Sequence, residues 1–407
     1  MPTPAHKATT SLRLHPFRAV RYDPARIGDL STVIGPPHDD MDPAHAQAQH
    51  GLPHHISQLL YAHDPYAAAG QLERWLRRGI LRRDADPALY VYEQRRGPEV
   101  LQRGLIGELP LLHHTIAVVH PHEAVRTHVV AQRAAHMAGL RAQLEPLLLT
   151  HRSGDGAATQ LVEHITGRPP VALTRLDGIT HTLWACTNPT EQAELTTALT
   201  GTQALIADGH HRHAACHWLR AEQCGPGPWD RSLALLIDST AHPLQLSAIH
   251  RVIPGLEANK AAAAASDVAR VRPLPGGPRP PGPDELVLAG SGRAWSVTDP
   301  DPGALSQALA GRPPEWQEQP AAIADHLLLA RAWSVPDLPG AVRHVHGVDR
   351  ALTAASTPGA GTAVLLPAVT EYTVRRLAAA GVLLPRKSTS FGPKPAAGLA
   401  LRVLENP

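Results

Sequence analysis

Apolar and polar positions along the chain follow two alternating patterns. In the segment 66–81, apolar residues recur every three or four positions, which predicts an amphipathic helix. Short apolar runs bounded by turn residues at 88–94, 103–111 and 233–239 predict strands, the first two of which form a hairpin. A helical pattern also follows residue 123 and continues to about 149. Short strands that alternate with helices predict a mixed α/β fold.

The same pattern suggests how the chain is divided. Residues 1–10 are predicted to form a disordered tail. Residues 11–270 contain most of the predicted alternating strands and helices. The Pro- and Gly-rich run 271–284 cannot continue a helix or a central strand, so it is interpreted as a loop or linker. Residues 285–407 then predict a C-terminal α/β lobe.

Composition narrows the functional classes. The formal net charge is only +2, which gives no basis for a broad nucleic-acid-binding surface. Three cysteines without CxxC spacing favour a reducing compartment without a disulfide framework. No apolar run reaches the roughly 20 residues that span a bilayer, and the N-terminus lacks a signal-peptide core. We therefore expect a cytoplasmic protein with no membrane and no nucleic-acid partner.

The stretch LIADGHHRHAACHW at 205–218 contains the most distinctive chemistry. An apolar strand pattern ends in Asp208-Gly209, and an Ala-rich helical pattern starts directly afterwards. A strand that opens into a helix presents backbone N–H groups and a positive dipole end to an anion. Arg212 can fork two phosphate oxygens, and Gly209 permits close backbone approach. The residues that would form this phosphate site are Asp208, Gly209, His210, His211 and Arg212.

Two other interpretations of this stretch remain open. His210, His213 and His217 have i, i+3, i+7 spacing, so they lie on one helix face and could ligate zinc. An arginine among those ligands would repel the cation, and no HExxH motif accompanies them. The third interpretation is a solvent-exposed helix start in a chain of biased composition. In the phosphate interpretation, Asp208 could hold Mg²⁺ or accept a proton from a hydroxyl group.

A further candidate anion site lies near the C-terminus in KSTSFGPK, residues 387–394. Lys387 and Lys394 supply positive charge, and Ser388 and Thr389 supply hydroxyl donors. The order of a Walker A motif is absent from this segment. A basic loop before the last strand is the alternative.

Strand–DGHHR–helix resembles the phosphate-binding motif of the ParB/sulfiredoxin-like fold, and free serine kinases of that fold contain the same pentapeptide. They also have a His-Glu pair upstream, after a strand and before a long helix, where this chain has HPHE at 120–123. The resemblance implies that Glu123 is the base for a substrate hydroxyl and that His122 lies beside the nucleotide. It also implies a nucleotide-binding core with extra strands and helices.

The whole chain resembles the family known as domain of unknown function 1015. The blocks that carry this resemblance are HPFRAVRYD (15–23), IGPPHDDM (34–41), HPHE, DGHHR, AIHRVI (248–253) and LPRKSTSFGPKPAAGLALRV (384–403). The charged residues of these motifs are present, whereas several aromatic neighbours are replaced: the family's PYDV is Pro37-His38-Asp39-Asp40 here. Asp39 and Asp40 could bind the amino group of an amino acid or a metal, or simply cap a turn.

These observations favour an ATP- or ADP-dependent, Mg²⁺-assisted bacterial kinase that phosphorylates the hydroxyl of free L-serine or a related amino acid. Lys387, Ser388, Thr389 and Lys394 are then candidates for substrate binding. The alternatives are a nucleotide-binding regulator without phosphoryl transfer and a His-cluster metalloenzyme. The sequence does not determine which amino acid accepts the phosphoryl group or whether ATP or ADP is preferred. A homodimer is the candidate oligomeric state.

Overall fold

A computed structural model of the 407-residue chain describes residues 11–36, 48–111, 118–357 and 359–404. The chain divides into two compact units. Unit 1 comprises Met1–Pro121, Val125–Leu244 and Pro393–Pro407, and unit 2 comprises His122–Ala124 and Gln245–Gly392. The predicted tail 1–10 and the pair Asp39 and Asp40 lie outside the described residues.

Both units contain strands and helices, which confirms the mixed α/β fold. The strands in chain order are β1 Val20–Tyr22, β2 Leu81–Arg83, β3 Leu89–Arg96, β4 Glu99–Pro110, β5 Val119–His120, β6 Ala142–Gln143, β7 Leu147–His151, β8 Ala172–Leu176, β9 Ile179–Cys186, β10 Ala204–Asp208, β11 Arg231–Asp238, β12 Gln245–Ser247, β13 Ile249–Ile253, β14 Arg270–Pro273, β15 Leu286–Gly290, β16 Arg293–Thr298, β17 Arg343–His346, β18 Thr362–Leu365, β19 Ser390–Gly392 and β20 Arg402–Val403.

The helices have various lengths, and several begin with proline at the first position, where its missing N–H is tolerated. Their bounds are Pro24–Ile27, Ser57–Leu60, Pro65–Arg77, Thr127–Leu140, Ala157–Thr166, Pro189–Ala198, His210–Ala221, Ala258–Ala265, Pro302–Ala308, Pro320–Ala322, the π-helix Ile323–Ala332, Val348–Ala354 and Glu371–Ala379.

Unit 1 is built on a mixed eight-stranded sheet with the order β5-β10-β7-β11-β4-β3-β9-β8. Strand β10 pairs parallel to β5 and antiparallel to β7, and β7 pairs parallel to β11. The predicted hairpin is confirmed, because β3 and β4 pair antiparallel across a short turn at Gly97. An apolar cluster that includes Leu149, Ile206 and Leu236 forms the core of this unit.

The long helix predicted after residue 123 ends earlier than expected. Thr127–Leu140 is helical, Arg141 adopts a left-handed conformation with φ of 53°, and Leu147–His151 forms the buried strand β7. The prediction to about residue 149 was therefore wrong. Pro146 disfavours the helical conformation of the residue before it, and β7 has strand partners on both sides.

Unit 2 contains an antiparallel six-stranded sheet with the order β14-β16-β15-β18-β13-β17. One apolar cluster includes Leu288, Leu327 and Val364, and a second includes Val252 and Ala363. Because adjacent strand residues such as Ala363 and Val364 point to opposite faces, the sheet is covered on both sides.

The predicted linker 271–284 differs from the observed boundary between the units. Its first residues belong to β14, which pairs with β16 inside unit 2. This is an edge strand, and an edge position tolerates Pro273 because no neighbour on its open side needs the missing N–H. The units instead divide at 121/122, 124/125, 244/245 and 392/393. Within the part of the chain that the structure describes, no helix is long and apolar enough to cross a membrane.

Candidate active site

The DGHHR motif lies at the junction between β10 and the helix His210–Ala221, as predicted from the sequence. Asp208 is the last residue of β10, and Gly209 occupies the N-cap position of the helix with φ of 95° and ψ of 27°. The register of β10 against β7 shifts between Ile206 and Asp208. Such an irregularity re-aims the side chains at the end of a strand, here that of Asp208.

Gly209 is required by both its conformation and its surroundings. A φ of 95° is in the region that residues with a Cβ atom rarely adopt. A Cβ atom on this residue would lie 3.1 Å from Leu147 Cδ2 and 3.3 Å from the guanidinium carbon of Arg212. The glycine therefore lets the backbone turn tightly beneath the first helical turn.

Asp208 lies between two cationic side chains. Its Oδ2 atom accepts a hydrogen bond of 2.6 Å from Arg212 Nη2, and its Oδ1 atom is 3.2 Å from Lys394 Nζ. The three side chains are 14%, 13% and 8% exposed, respectively. Two cations thus meet at one carboxylate at the start of a helix, within unit 1.

Arg212 has further partners besides Asp208. Its Nη1 atom donates to the Pro146 carbonyl at 2.7 Å and lies 3.8 Å from Glu145 Oε2. The i, i+4 spacing of Asp208 and Arg212 could have predicted their ion pair. Glu145 is buried and was not selected from the sequence, because no motif or spacing relates it to residue 212.

The histidines of this helix make separate contacts. His211 Nε2 accepts a hydrogen bond from the Arg126 backbone N–H at 3.1 Å. The Nε2 atoms of His213 and His217 are 3.2 Å apart, within hydrogen-bonding distance. Burial, followed by the neighbouring His217, lowers the pKa of His213 to about 3.

A metal ion does not fit this arrangement well. Both carboxylate oxygens of Asp208 face cationic groups, which disfavours a metal cation at this carboxylate. Among the residues with described positions, no group of three or more His, Cys, Asp or Glu side chains is placed to hold a metal ion. The predicted roles of Asp208 as a Mg²⁺ ligand and of the histidines as zinc ligands therefore gain no support from the donor set.

The KSTSFGPK segment divides between the two units. Lys394 belongs to unit 1, where its carbonyl accepts a 2.9 Å hydrogen bond from Gln94 Nε2. Tyr92 Oη accepts a hydrogen bond from the Ala396 N–H and forms another with His181 Nδ1. Burial lowers the pKa of His181 to about 4. These contacts fix the backbone around Lys394. Lys387, Ser388 and Thr389 belong to unit 2.

Within unit 2, residues 387 and 389 contact the His122-Glu123 pair. Glu123 Oε1 accepts a 3.1 Å hydrogen bond from the Lys387 backbone N–H. His122 is 1% exposed, and its Nε2 atom is 2.8 Å from Thr389 Oγ1. The His122 carbonyl accepts from the Leu384 N–H at 2.7 Å. The predicted base is therefore held in place by the loop that the sequence had assigned to anion binding.

The fold and this junction define a mixed α/β protein in which a strand passes through a glycine directly into a helix. The chain belongs to the family described as protein of unknown function DUF1015, whose model matches residues 14–322. This match confirms the family that the six sequence blocks indicated. The comparison with curated proteins found no match.

The comparison with solved structures gave matches of low sequence identity, three of which follow. A free serine kinase in complex with AMP is 13% identical, with a TM-score of 0.41, and the alignment covers 74% of this chain and 91% of the kinase. SbnI with a C-terminal truncation from Staphylococcus aureus is 9% identical, with a TM-score of 0.40 and coverage of 73% and 87%. A conserved hypothetical protein from Pyrococcus furiosus is 13% identical, with a TM-score of 0.39 and coverage of 74% and 95%.

Proposed function

We propose that this protein is a nucleotide-dependent kinase that phosphorylates the hydroxyl group of a small free amino acid, L-serine or a relative. The observation that carries the proposal is the DGHHR junction, where Arg212 and Lys394 meet at Asp208 directly below a helix N-terminus. The motif resemblance to serine kinases supplies the reaction class.

The junction suits a nucleotide phosphate for electrostatic reasons. The N-terminus of the helix His210–Ala221 is a partial positive charge, and Gly209 has no side chain to cover it. Arg212 and Lys394 already bind the carboxylate of Asp208. Phosphate oxygens can compete for the same donors, since charge-assisted hydrogen bonds to carboxylate and to phosphate have similar geometry. Asp208 then acts to keep the two cations in position before the nucleotide binds.

In the proposed reaction, Glu123 removes the proton from the amino-acid hydroxyl. The hydroxyl oxygen forms a bond to the terminal phosphorus of the nucleotide, and the bridging P–O bond breaks. Loss of the terminal phosphoryl group converts ATP to ADP, or ADP to AMP, and this nucleotide is the leaving group. Any Mg²⁺ arrives as part of the Mg–nucleotide substrate. Glu123 has this role from the sequence resemblance, and the hydrogen bond that it accepts from the Lys387 N–H supports an oriented carboxylate.

Phosphorus NMR tests the proposal directly. Purified protein is incubated with Mg–ATP or Mg–ADP and a panel of hydroxy amino acids, and we expect a new phosphomonoester resonance with one of them. Glu123→Gln should retain nucleotide binding and lose the product signal by about 10²- to 10⁴-fold, as expected when a general base is removed.

Arg212→Ala has a matched control in the same helix. Arg220 also binds one carboxylate and one backbone carbonyl. Its Nε atom donates to Asp230 Oδ1 at 3.1 Å, and its Nη1 atom donates to the Leu111 carbonyl at 2.6 Å. We expect Arg212→Ala to weaken nucleotide binding and Arg220→Ala to leave it within about twofold. Nucleotide binding without transfer to any acceptor would overturn the kinase proposal and favour a nucleotide-binding regulator. Equal loss in both variants would assign Arg212 a structural role.

A further inference from the structure

Arg251 is the most deeply buried charged side chain in unit 2. It lies on β13 with 0% exposure, and its guanidinium forms a two-pronged ion pair with Asp325 of the π-helix, at 2.9 Å from Nε and 2.8 Å from Nη2. Such a buried charge is retained at a cost in desolvation, and the ion pair alone is weak evidence of a stabilising role. Its remaining hydrogen bonds therefore indicate what it contributes.

One of them is donated by Nη1 to the Ile249 carbonyl of the same strand at 2.5 Å, and the others reach the loop before β19. Arg251 Nη1 donates to the Lys387 carbonyl at 2.8 Å, and Nη2 is 3.4 Å from the Arg386 carbonyl. Lys387 has φ of 58°, a left-handed conformation that a lysine adopts only when its surroundings enforce it. The planar fork of Arg251 supplies that constraint from one side of the residue.

The other side of Lys387 contacts the predicted base. Its backbone N–H donates to Glu123 Oε1 at 3.1 Å, and the neighbouring Thr389 hydroxyl contacts His122 Nε2 at 2.8 Å. Arg251 and Glu123 are thus linked through a single residue whose carbonyl binds the former and whose amide binds the latter.

We infer that Arg251, braced by Asp325, is a positioning residue that orients the Glu123 carboxylate through the backbone of Lys387. This inference rests on the proposed function for the role of Glu123. Lysine cannot replace arginine here, because an ammonium group lacks the planar fork that reaches the carboxylate and the loop carbonyls together.

The test uses Arg251→Lys in the full-length chain, with Arg402→Lys as its matched control. Arg402 is also buried and forks between a carboxylate, that of Glu108, and a backbone carbonyl, that of Pro228, but it lies in unit 1. Two readouts are measured: hydrogen–deuterium exchange of the peptide 384–390, and kcat and KM for phosphoryl transfer. Asp325→Asn serves as a milder variant if Arg251→Lys does not fold, since Asp325 is 28% exposed.

We expect Arg251→Lys to accelerate exchange in 384–390 by about tenfold and to lower kcat by about 10- to 100-fold, with the nucleotide KM within about twofold. Arg402→Lys should change neither exchange in this peptide nor kcat per folded molecule. Unchanged exchange in Arg251→Lys overturns the inference, and so does a loosened loop with an unchanged kcat.

Failure of the proposed function gives a different result. In that case the wild type shows no phosphoryl transfer. Hydrogen–deuterium exchange of the peptide 384–390 then becomes the readout for the positioning of Glu123. Glu123→Gln should then accelerate exchange at 384–390, and adding Arg251→Lys to it should have less effect than in the wild type. Fully additive effects of the two substitutions would overturn the link between Arg251 and Glu123.

Discussion

Replacement of Gly209 by alanine tests the geometry of the phosphate site most simply. Gly209 has a matched control in Gly156, which also occupies a helix N-cap in a left-handed conformation, with φ of 73°. A Cβ atom on Gly156 would meet nothing within 4 Å, whereas one on Gly209 would lie 3.1 Å from Leu147 and 3.3 Å from Arg212. The two substitutions share the backbone strain and differ in crowding.

The expected loss of unfolding free energy follows from backbone strain and from crowding. A left-handed conformation costs a residue with a Cβ atom about 1–2 kcal/mol, so Gly156→Ala should lower the free energy of unfolding by that amount. Overpacking adds about 1–3 kcal/mol when its neighbours cannot relax fully. Leu147 lies in the central strand β7, and Arg212 is bound to Asp208 and Pro146, so neither can move easily. Gly209→Ala should therefore cost about 2–5 kcal/mol.

Urea unfolding of both variants, monitored by circular dichroism, measures the difference in their free energies of unfolding. Titration with ADP measures the effect of each substitution on nucleotide binding. We expect Gly209→Ala to be the less stable variant and to bind ADP at least about tenfold more weakly, while Gly156→Ala binds like the wild type. Equal destabilisation by the two substitutions would refute the crowding argument. A loss below about 0.5 kcal/mol for Gly209→Ala would refute the left-handed conformation itself.

Two further predictions concern ionisable groups of unit 1. Lys394→Met leaves Asp208 with Arg212 as its cationic partner and should lower the free energy of unfolding by about 1–3 kcal/mol in urea. Lys260→Met changes the net charge equally at a site that is 69% exposed, and it should stay within about 0.5 kcal/mol; similar losses would contradict the buried ion pair. The folded-state pKa of His181, about 4, is below its ordinary value of 6.5, so the unfolded chain takes up this proton first as the pH falls. Stability should then decrease from pH 6.5 towards pH 4, and His181→Gln should make this slope shallower by about 1.4 kcal/mol per pH unit; identical slopes in pH-dependent urea unfolding would argue against a neutral buried His181.

The sequence predicted those elements whose signals are local. Apolar runs predicted the β3–β4 hairpin, whose two strands pair antiparallel. Asp208-Gly209 likewise predicted the strand–helix junction, because only residues adjacent in sequence are needed to form it.

Contacts between distant segments were not predictable in this way. Nothing in the sequence relates Asp208 to Lys394, which approach because Gln94 and Tyr92 bind the backbone of the C-terminal segment. The split of KSTSFGPK between two units also depends on tertiary pairing, since β19 pairs with β12. Leu147–His151 resembled a helix in its apolar pattern and became a strand because β10 and β11 lie on either side.

We propose that Arg212 and Lys394 at the DGHHR junction bind a nucleotide phosphate. Isothermal titration calorimetry of the wild type, Lys394→Met and Lys260→Met with Mg–ADP measures this binding. We expect saturable binding by the wild type and by Lys260→Met, and affinity reduced by about 10- to 100-fold in Lys394→Met, as expected for loss of one charge-assisted contact. Absence of binding by the wild type, or equal affinity of all three proteins, would rule out this role for the two cations.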